Sequence, residues 1–240
     1  MLLPDIDLTK ILFLDVETVS QYANFEELPE RFKNLWIKKA NYIANEYETP
    51  EETYNRAAIY SEFGKIVCIS VGFLAWQNNA YFLRIKSFFG DDEKTVLLDF
   101  FELLNKHFNT QNHYLCAHNG KEFDYPYIAR RALINGLSLP KLLQIAGKKP
   151  WEVKLLDTME LWKFGDYKSY TSLDLLTSVF EIPTPKDDID GSMVNATYWI
   201  ENDLEKIVTY CQKDVVALTQ LFLKMNQLDL IPEENIQIIS

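Results

Sequence analysis

Five residues with side chains suited to metal or acid–base chemistry stand at regular places in the sequence. Asp15 and Glu17 end an aliphatic run, and alternate residues of a strand share one face. Asp124 opens a predicted helix after a strand, and Tyr210 and Asp214 lie one turn apart on a predicted last helix. Two neighbouring carboxylates at the end of a core strand are unfavourable unless a cation neutralises them. Taken singly, the same residues also fit a solvated strand end, a helix cap, and a core tyrosine beside an exposed acid.

The elements that must position these residues predict an α/β domain. Strand-type runs cover 10–16, 66–76 and 80–89, with the turn-forming Gln77-Asn78-Asn79 making the last two a hairpin. Further strands are predicted at 114–117 and 154–156, and helices at 91–108, 123–135, 172–180 and about 202–227. This order predicts a mixed five-stranded sheet, three antiparallel strands and then parallel βαβ units, flanked by helices.

A long segment, residues 20–63, separates the first strand from the hairpin. It is rich in Glu, Lys, Tyr and Asn, and helical spacing over 28–46 predicts a helical insertion at the rim of the sheet. Its part 31–39 could contact a nucleic-acid strand, contact a protein partner, or cover the sheet. The sequence leaves these three alternatives open.

In this order and context, three motifs resemble those of the DEDD 3′-5′ exonucleases, which have a ribonuclease H-like fold. The motifs are Asp15-x-Glu17, Asn119-x(3)-Phe-Asp124 and Tyr210-x(3)-Asp214. Tyr210 indicates the tyrosine subclass, because the histidine subclass has His where this chain has Thr209. The runs EFGKIVCISVGF and DDIDGSMV resemble stand-alone bacterial exonucleases related to the family B polymerase proofreading domain. The resemblance covers essentially the whole chain and implies one exonuclease domain over residues 1–240.

The resemblance also implies a chemistry: hydrolysis of phosphodiester bonds from a single-stranded 3′ end, with DNA favoured, releasing 5′-mononucleotides. Four carboxylates without clustered Cys or His suit two divalent cations, Mg²⁺ or Mn²⁺, which together stabilise the attacking and leaving oxygens. By resemblance, Asp15 bridges both cations and Asp124 holds the leaving-group cation. Glu17 and Asp214 complete the nucleophile-side cation, and Tyr210 orients the attacking water. Two alternatives stay open: a 3′-5′ exoribonuclease, and a nuclease-fold binding module without catalysis.

Weaker candidates for substrate contacts flank the motifs. The resemblance implies that the backbone of Thr18 and Val19 contacts the terminal nucleotide. Asn119 could hydrogen-bond the penultimate phosphate or sugar. Phe123 could stack on a base, or it could belong to the core.

The other polar and sulfur-bearing side chains near the motifs carry less specific signals. His118 is predicted to be structural, and Asp157 either supports the site or is an exposed or helix-capping acid. Cys68, Cys116 and Cys211 are odd in number and far apart, which predicts neither a disulfide framework nor a zinc ribbon. With an acidic N-terminal segment and no apolar run long enough for a bilayer, the sequence predicts a reduced cytoplasmic protein that does not enter a membrane.

The charge distribution refines the expected partner. The net charge is −11, which argues against a polybasic nucleic-acid binder. However, residues 125–154 carry six cations against one acid, Glu152, whereas residues 181–205 carry seven acids against Lys186. The run Lys148-Lys149-Pro150-Trp151 suits phosphate contacts and base stacking, or a solvated loop with Trp151 packed inward. We therefore expect local, metal-dependent and salt-sensitive binding of a chain end.

Overall fold

The structure, a computed structural model, describes residues 2–3, 6–166, 170–183 and 189–239. Some predictions fall outside these residues. They are Pro185, expected to end the helix near residue 180; Lys186; and residues 187–188 of the DDIDGSMV run and of the acidic segment 181–205.

Six strands form a mixed sheet in the described part of the chain, in the order β5-β4-β1-β2-β3-β6. Their bounds are Ile11–Ser20 (β1), Gly64–Gln77 (β2), Ala80–Phe89 (β3), Tyr114–Ala117 (β4), Leu155–Asp157 (β5) and Ile236–Ile238 (β6). The pairs β1–β2 and β2–β3 are antiparallel, and β1–β4, β4–β5 and β3–β6 are parallel. The predicted α/β class is confirmed, but the count of five strands was wrong. β6 has only three residues, too few for a readable alternation.

Eight α-helical segments accompany the sheet in the described residues. They are Glu30–Ile43 (α1), Pro50–Thr53 (α2), Glu93–His107 (α3), Asp124–Ile134 (α4), Thr158–Lys163 (α5), Leu173–Val179 (α6), Val194–Ala196 (α7) and Leu204–Met225 (α8). One π-helical turn, Thr197–Glu201, follows α7. The short α5 is absent from the sequence prediction, because six residues carry little periodicity. Across the described ranges, no helix combines the length and the apolar character needed to span a bilayer.

β1 is the central strand, and it is longer than predicted. Residues 11–14 are fully buried because helices cover both faces of the sheet. The polar residues Glu17–Ser20 do not end the strand, since they continue to pair with β2 across a register shift between Glu17 and Thr18. This bulge lies beside the two predicted acids. β-Bulges are common next to functional sites, where they change the direction in which side chains point.

Two apolar layers enclose the sheet. On one face, α3 and α4 pack against β1 through Leu12, Leu14, Phe100 and Ile128. On the other face, α8 packs against it through Phe13, Val215, Leu218 and Phe222. Alternation along β1 therefore points its odd-numbered residues, including Asp15 and Glu17, toward α8.

The insertion between β1 and β2 is helical, as predicted, and has a small core of its own. Trp36 is fully buried there and donates its Nε1 hydrogen to the backbone oxygen of Pro50 at 2.8 Å. Its ring packs edge-on against Tyr54 and Phe63. Segment 31–39 therefore folds over the start of β2 through Trp36.

Candidate active site

Asp15 and Glu17 lie side by side on β1, just beyond its pairing with β4. In the described residues, β1 pairs with β4 only over residues 11–13. Ligand atoms of Asp15, Glu17 and Cys211 lie within 4.8 Å of one another. The side chains of Asp15 and Glu17 also hydrogen-bond to each other.

Asp124 reaches the same place from the start of α4. Asp124 is 4% exposed, and it lies close enough to Asp15 for the charge of Asp15 to raise the pKa of the Asp124 carboxyl group. The turn before α4 needs glycine at Gly120, since a Cβ there would lie 2.4 Å from the Cβ of Ala117. This close approach sets the entry of α4 and thereby the position of Asp124.

α8 contributes Tyr210 and Asp214 from its sheet-facing side. The Tyr210 phenol hydrogen-bonds the Asp214 carboxyl group, as the spacing of one turn predicts. The charge of Asp214 acts on Glu17, which places the two groups in one cluster. The structure thus brings together the four acids and the tyrosine of the three motifs: Asp15, Glu17, Asp124, Tyr210 and Asp214.

Cys211, which the sequence analysis missed, holds Asp15 in place. Its thiol donates to the Asp15 backbone oxygen at 3.5 Å and to Oδ2 at 3.3 Å. Burial and its hydrogen bond with Cys68 raise the pKa of this thiol well above its usual value, so it is a neutral donor. Spacing could have revealed it, because Cys211 and Asp214 are three residues apart on one helix face.

Burial and mutual repulsion disfavour the charged forms of the carboxyl groups in the cluster. Burial raises the pKa of Asp15 to about 6, although its hydrogen bonds with Cys211 and Glu17 act in the other direction. Burial and then the Asp15 charge raise the pKa of Glu17 and of Asp124 well above the usual carboxyl range. The cluster therefore suits cations, which remove this repulsion.

The donor set indicates which cations fit. Oxygen donors from four carboxylates are the ligands that hard divalent cations prefer. The thiol sulfur of Cys211 lies within 4.8 Å of ligand atoms of Asp15 and Glu17, and it is engaged as a hydrogen-bond donor to Asp15. Asp15, Glu17, Asp124 and Asp214 are accordingly the residues that could hold Mg²⁺ or Mn²⁺.

Asp157, at the end of β5, organises the turn that leads to Asp124. Its buried carboxylate accepts hydrogen bonds from the backbone N–H of Asn119 and Lys121, both at 3.0 Å. It also accepts from Met159 and Glu160, and so caps α5. Of the alternatives that the sequence left open, the exposed acid was wrong, since Asp157 is buried, whereas helix cap and support for the site both belong to this one carboxylate.

Replacing Asp157 by alanine is expected to lower the free energy of unfolding by about 2–4 kcal/mol, because four backbone N–H groups lose a charged acceptor in a buried place. The matched control is Asp203→Ala, which removes an exposed cap from α8 and should cost about 1 kcal/mol. Urea unfolding of both variants measures the difference. Equal losses would show that Asp157 is only a helix cap.

The weaker candidates for substrate contacts differ in their burial and in the contacts that they already make within the protein. The Thr18 hydroxyl donates to the backbone oxygen of Ala58 at 3.0 Å, and Val19 is fully buried. Contacts from their backbone stay a prediction. Phe123 precedes α4 and packs on Tyr127 with 5.2 Å between ring centroids, which favours its core interpretation. Asn119 adopts a left-handed backbone (φ 62°), and its buried Oδ1 has no hydrogen-bond partner among the described residues.

His118 has a structural place, as predicted. Its Nδ1 lies 2.8 Å from the Thr158 hydroxyl, and its Nε2 lies 2.9 Å from the backbone oxygen of Thr171. Burial lowers the pKa of this imidazole, so it is neutral at physiological pH. Both ring nitrogens are engaged in tying β4 to the segments after β5.

The predicted basic segment is less basic at the surface than its sequence suggests. Arg131 is buried and forms an ion pair with Glu93, with Nη2 and Oε2 2.6 Å apart. Because this guanidinium is engaged in the interior, it does not add to the positive charge that the segment presents to solvent. Trp151 is 75% exposed, so the inward-packed alternative for its loop was wrong.

The fold is an α/β domain in which β1, α4 and α8 bring four carboxyl groups and Tyr210 to one edge of the sheet. Residues 59–234, more than half of the chain, match the model of a family described as a predicted 3′-5′ exonuclease related to the exonuclease domain of PolB. The chain belongs to this family. The matched region contains Asp124, Tyr210 and Asp214 but begins after Asp15 and Glu17.

A solved polymerase structure shares the fold. The family B DNA polymerase of the hyperthermophilic archaeon Pyrobaculum calidifontis aligns with a TM-score of 0.53 and 16% identity, over 89% of this chain. This chain covers 24% of that polymerase. The RNase domain of the yeast Pop2 protein aligns with a TM-score of 0.41 and 10% identity, over 95% of this chain and 81% of that domain. No curated protein matches the chain significantly.

Proposed function

We propose that this chain is a metal-dependent 3′-5′ exonuclease of the tyrosine subclass, which removes 5′-mononucleotides from a single-stranded 3′ end. The observation that carries the proposal is the convergence of four carboxyl groups and Tyr210 from β1, α4 and α8. DNA is the favoured substrate because the family is related to the exonuclease domain of PolB. Residues 1–240 would act as one exonuclease domain, and the free cysteines suit a reducing cytoplasm.

The carboxylates divide the binding of two divalent cations. Asp15 would contact both, Glu17 and Asp214 would complete one site, and Asp124 would serve the other. When bound, such cations make water acidic enough to supply a nucleophile and neutralise charge on the phosphodiester oxygens. The protein itself holds the carboxylates close together in a buried place. The raised pKa of Asp15 shows that this place disfavours the charged form of the carboxyl group.

Tyr210 suits a positioning role. Burial and the neighbouring Asp214 raise its pKa above that of a free phenol, so the hydroxyl keeps its proton at neutral pH. A neutral phenol can donate one hydrogen bond and accept another. Tyr210 would thus orient a water molecule toward the scissile phosphate rather than remove its proton.

Digestion of a DNA oligonucleotide labelled at its 5′ end tests the function. With Mg²⁺ or Mn²⁺, we expect a ladder of products that shorten by one nucleotide at a time. An excess of chelator should abolish the ladder, because the carboxylates alone provide no charge neutralisation for the phosphodiester. Products that release the 5′ label as a mononucleotide would contradict the proposed direction.

A matched RNA oligonucleotide separates the two nuclease alternatives. Faster digestion of RNA would assign the chain to 3′-5′ exoribonucleases. Calorimetric titration with Mn²⁺ addresses the third alternative, a binding module without catalysis. Absence of both Mn²⁺ binding and digestion would favour that module.

A further inference from the structure

A cleft of about 330 Å³ opens at the edge of the sheet opposite the carboxylates. It lies before the first residues of β4 and β5, whereas Asp15 and Asp124 lie beyond the last residues of β4. We call it the lysine cleft, after lining residues that include Thr110, Gln111, Asn112, Lys141, Lys148 and Lys154.

The charge of the lysine cleft is available for a ligand. Lys141 and Lys148 are exposed, and no salt bridge engages them within the described part of the chain. The acid in the lining, Glu152, accepts the backbone N–H of Lys149 at 2.8 Å, so its carboxylate is turned toward the main chain. Lysines beside hydroxyl and amide groups suit phosphate oxygens.

An aromatic platform adjoins the lysine cleft. Trp151 follows Lys149 and Pro150 and is 75% exposed, an unusual exposure for an indole. The Lys149 ammonium lies 5.2 Å from the centre of its ring. Exposed aromatic rings beside cations are the common means of binding single-stranded nucleic acid.

The strand register gives the separation of the two sites. Leu155 in β5 is level with Leu115 in β4, which is level with Leu12 in β1. Lys154 therefore lies four residues behind Asp15, about 13 Å along the strands and about 10 Å across them, or roughly 16 Å in all. Arg130 is also exposed and lies on α4, six residues beyond Asp124 and therefore about 9 Å along that helix.

We propose that the lysine cleft and Trp151 bind the 5′ part of the same strand whose 3′ end lies at the carboxylates. The inference rests on the proposed function and adds a substrate-length requirement to it. At about 3.4 Å per stacked nucleotide, a strand needs roughly five nucleotides to span this distance. A larger cleft, near α3 and β6, suits a polyanion less well, since its three acids, Asp99, Glu102 and Glu205, outnumber its two lysines, Lys86 and Lys106.

The test combines binding and hydrolysis in the double variant Lys141→Gln/Lys148→Gln and in Trp151→Ala. In chelator, anisotropy of a labelled single-stranded 16-mer should give about tenfold weaker binding for the lysine variant. Its slope of log K against log salt should be shallower by about 1.4, since two phosphate contacts are lost. Trp151→Ala should weaken binding roughly fivefold or more through lost stacking, with little change in slope.

In Mg²⁺, the ratio of kcat/KM for the 16-mer to that for a trimer should fall about tenfold in the lysine variant.

The control is Lys94→Gln/Lys106→Gln, which removes two exposed charges from α3. It should retain the wild-type slope and the wild-type length ratio. A slope and a ratio equal to wild type in the lysine variant would overturn the inference, as would an equal loss on both substrate lengths. If the wild-type protein hydrolyses neither oligonucleotide, the proposed function fails, but a shallower slope in chelator still supports the lysine cleft as a nucleic-acid site.

Discussion

Asp15→Asn is expected to lower the rate of hydrolysis more than about 10³-fold while it stabilises the metal-free protein. Activity falls because Asp15 is the carboxylate with which Glu17, Asp124 and Cys211 all interact, so it is central to the cation site. Asparagine keeps the shape of the side chain but removes the charge that attracts cations. In this variant, a loss of activity can therefore be distinguished from a loss of the fold.

The expected gain in stability follows from the sign of the pKa shift. The pKa of Asp15 is raised from 3.8 to about 6, so the folded protein holds this proton more tightly than the unfolded chain does. Stability is therefore lost as the pH rises from about 4 through 6. Asparagine abolishes this loss, which should add about 1–3 kcal/mol to the free energy of unfolding at pH 8 in chelator.

The measurements are digestion of a labelled oligonucleotide, and urea unfolding at pH 8 with chelator or with Mn²⁺. Wild type should gain stability from Mn²⁺, and the variant should gain less. The exposed acid Asp99 supplies the control, since Asp99→Asn removes the same charge away from the cluster. Activity within tenfold of wild type, or a less stable metal-free variant, would contradict the assignment of Asp15.

The acidic cluster was predictable because each of its members depends on a local rule. Alternation along a strand places Asp15 and Glu17 on one face, and helical spacing places Tyr210 above Asp214. The order of elements then brings β1 and β4 together in parallel, with Asp124 at the carboxyl edge. Local spacing and connection order thus placed these residues near one another without exact helix or strand ends, whereas the resemblance to the exonuclease motifs joined them into one predicted site.

The groups that support the cluster were not predictable in the same way. Asp157 receives four backbone N–H groups from two separate turns, and no spacing in the sequence joins those turns. Arg131 reads as a surface cation because nothing local shows that Glu93, 38 residues away, faces it across the core. β6 depends on an edge that only the folded β3 provides. Each of these features arises from contacts between distant segments, which periodicity does not encode.

The buried pair Arg131–Glu93 carries the second large expected effect, and it concerns stability. The Arg131 guanidinium donates to both Glu93 oxygens, at 2.8 and 2.6 Å, and to the backbone oxygen of Ser61 at 2.9 Å. Glu93 also accepts the backbone N–H of Ile66 at 2.8 Å. Because Ile66 pairs with Thr18 at the bulge of β1, the pair holds β2 in place behind the catalytic candidates.

Arg131→Met should lower the free energy of unfolding by about 3–5 kcal/mol, because it leaves the Glu93 carboxylate buried without its countercharge. Adding Glu93→Gln should restore about half of that loss, since glutamine carries no charge and its oxygen still accepts from Ile66. Urea unfolding of the two single variants and the double variant gives the coupling energy. Additive losses would mean that the two side chains act independently. Coupling above about 2 kcal/mol would instead establish that charge neutralisation in the interior, rather than contact with nucleic acid, accounts for the arginine at this position.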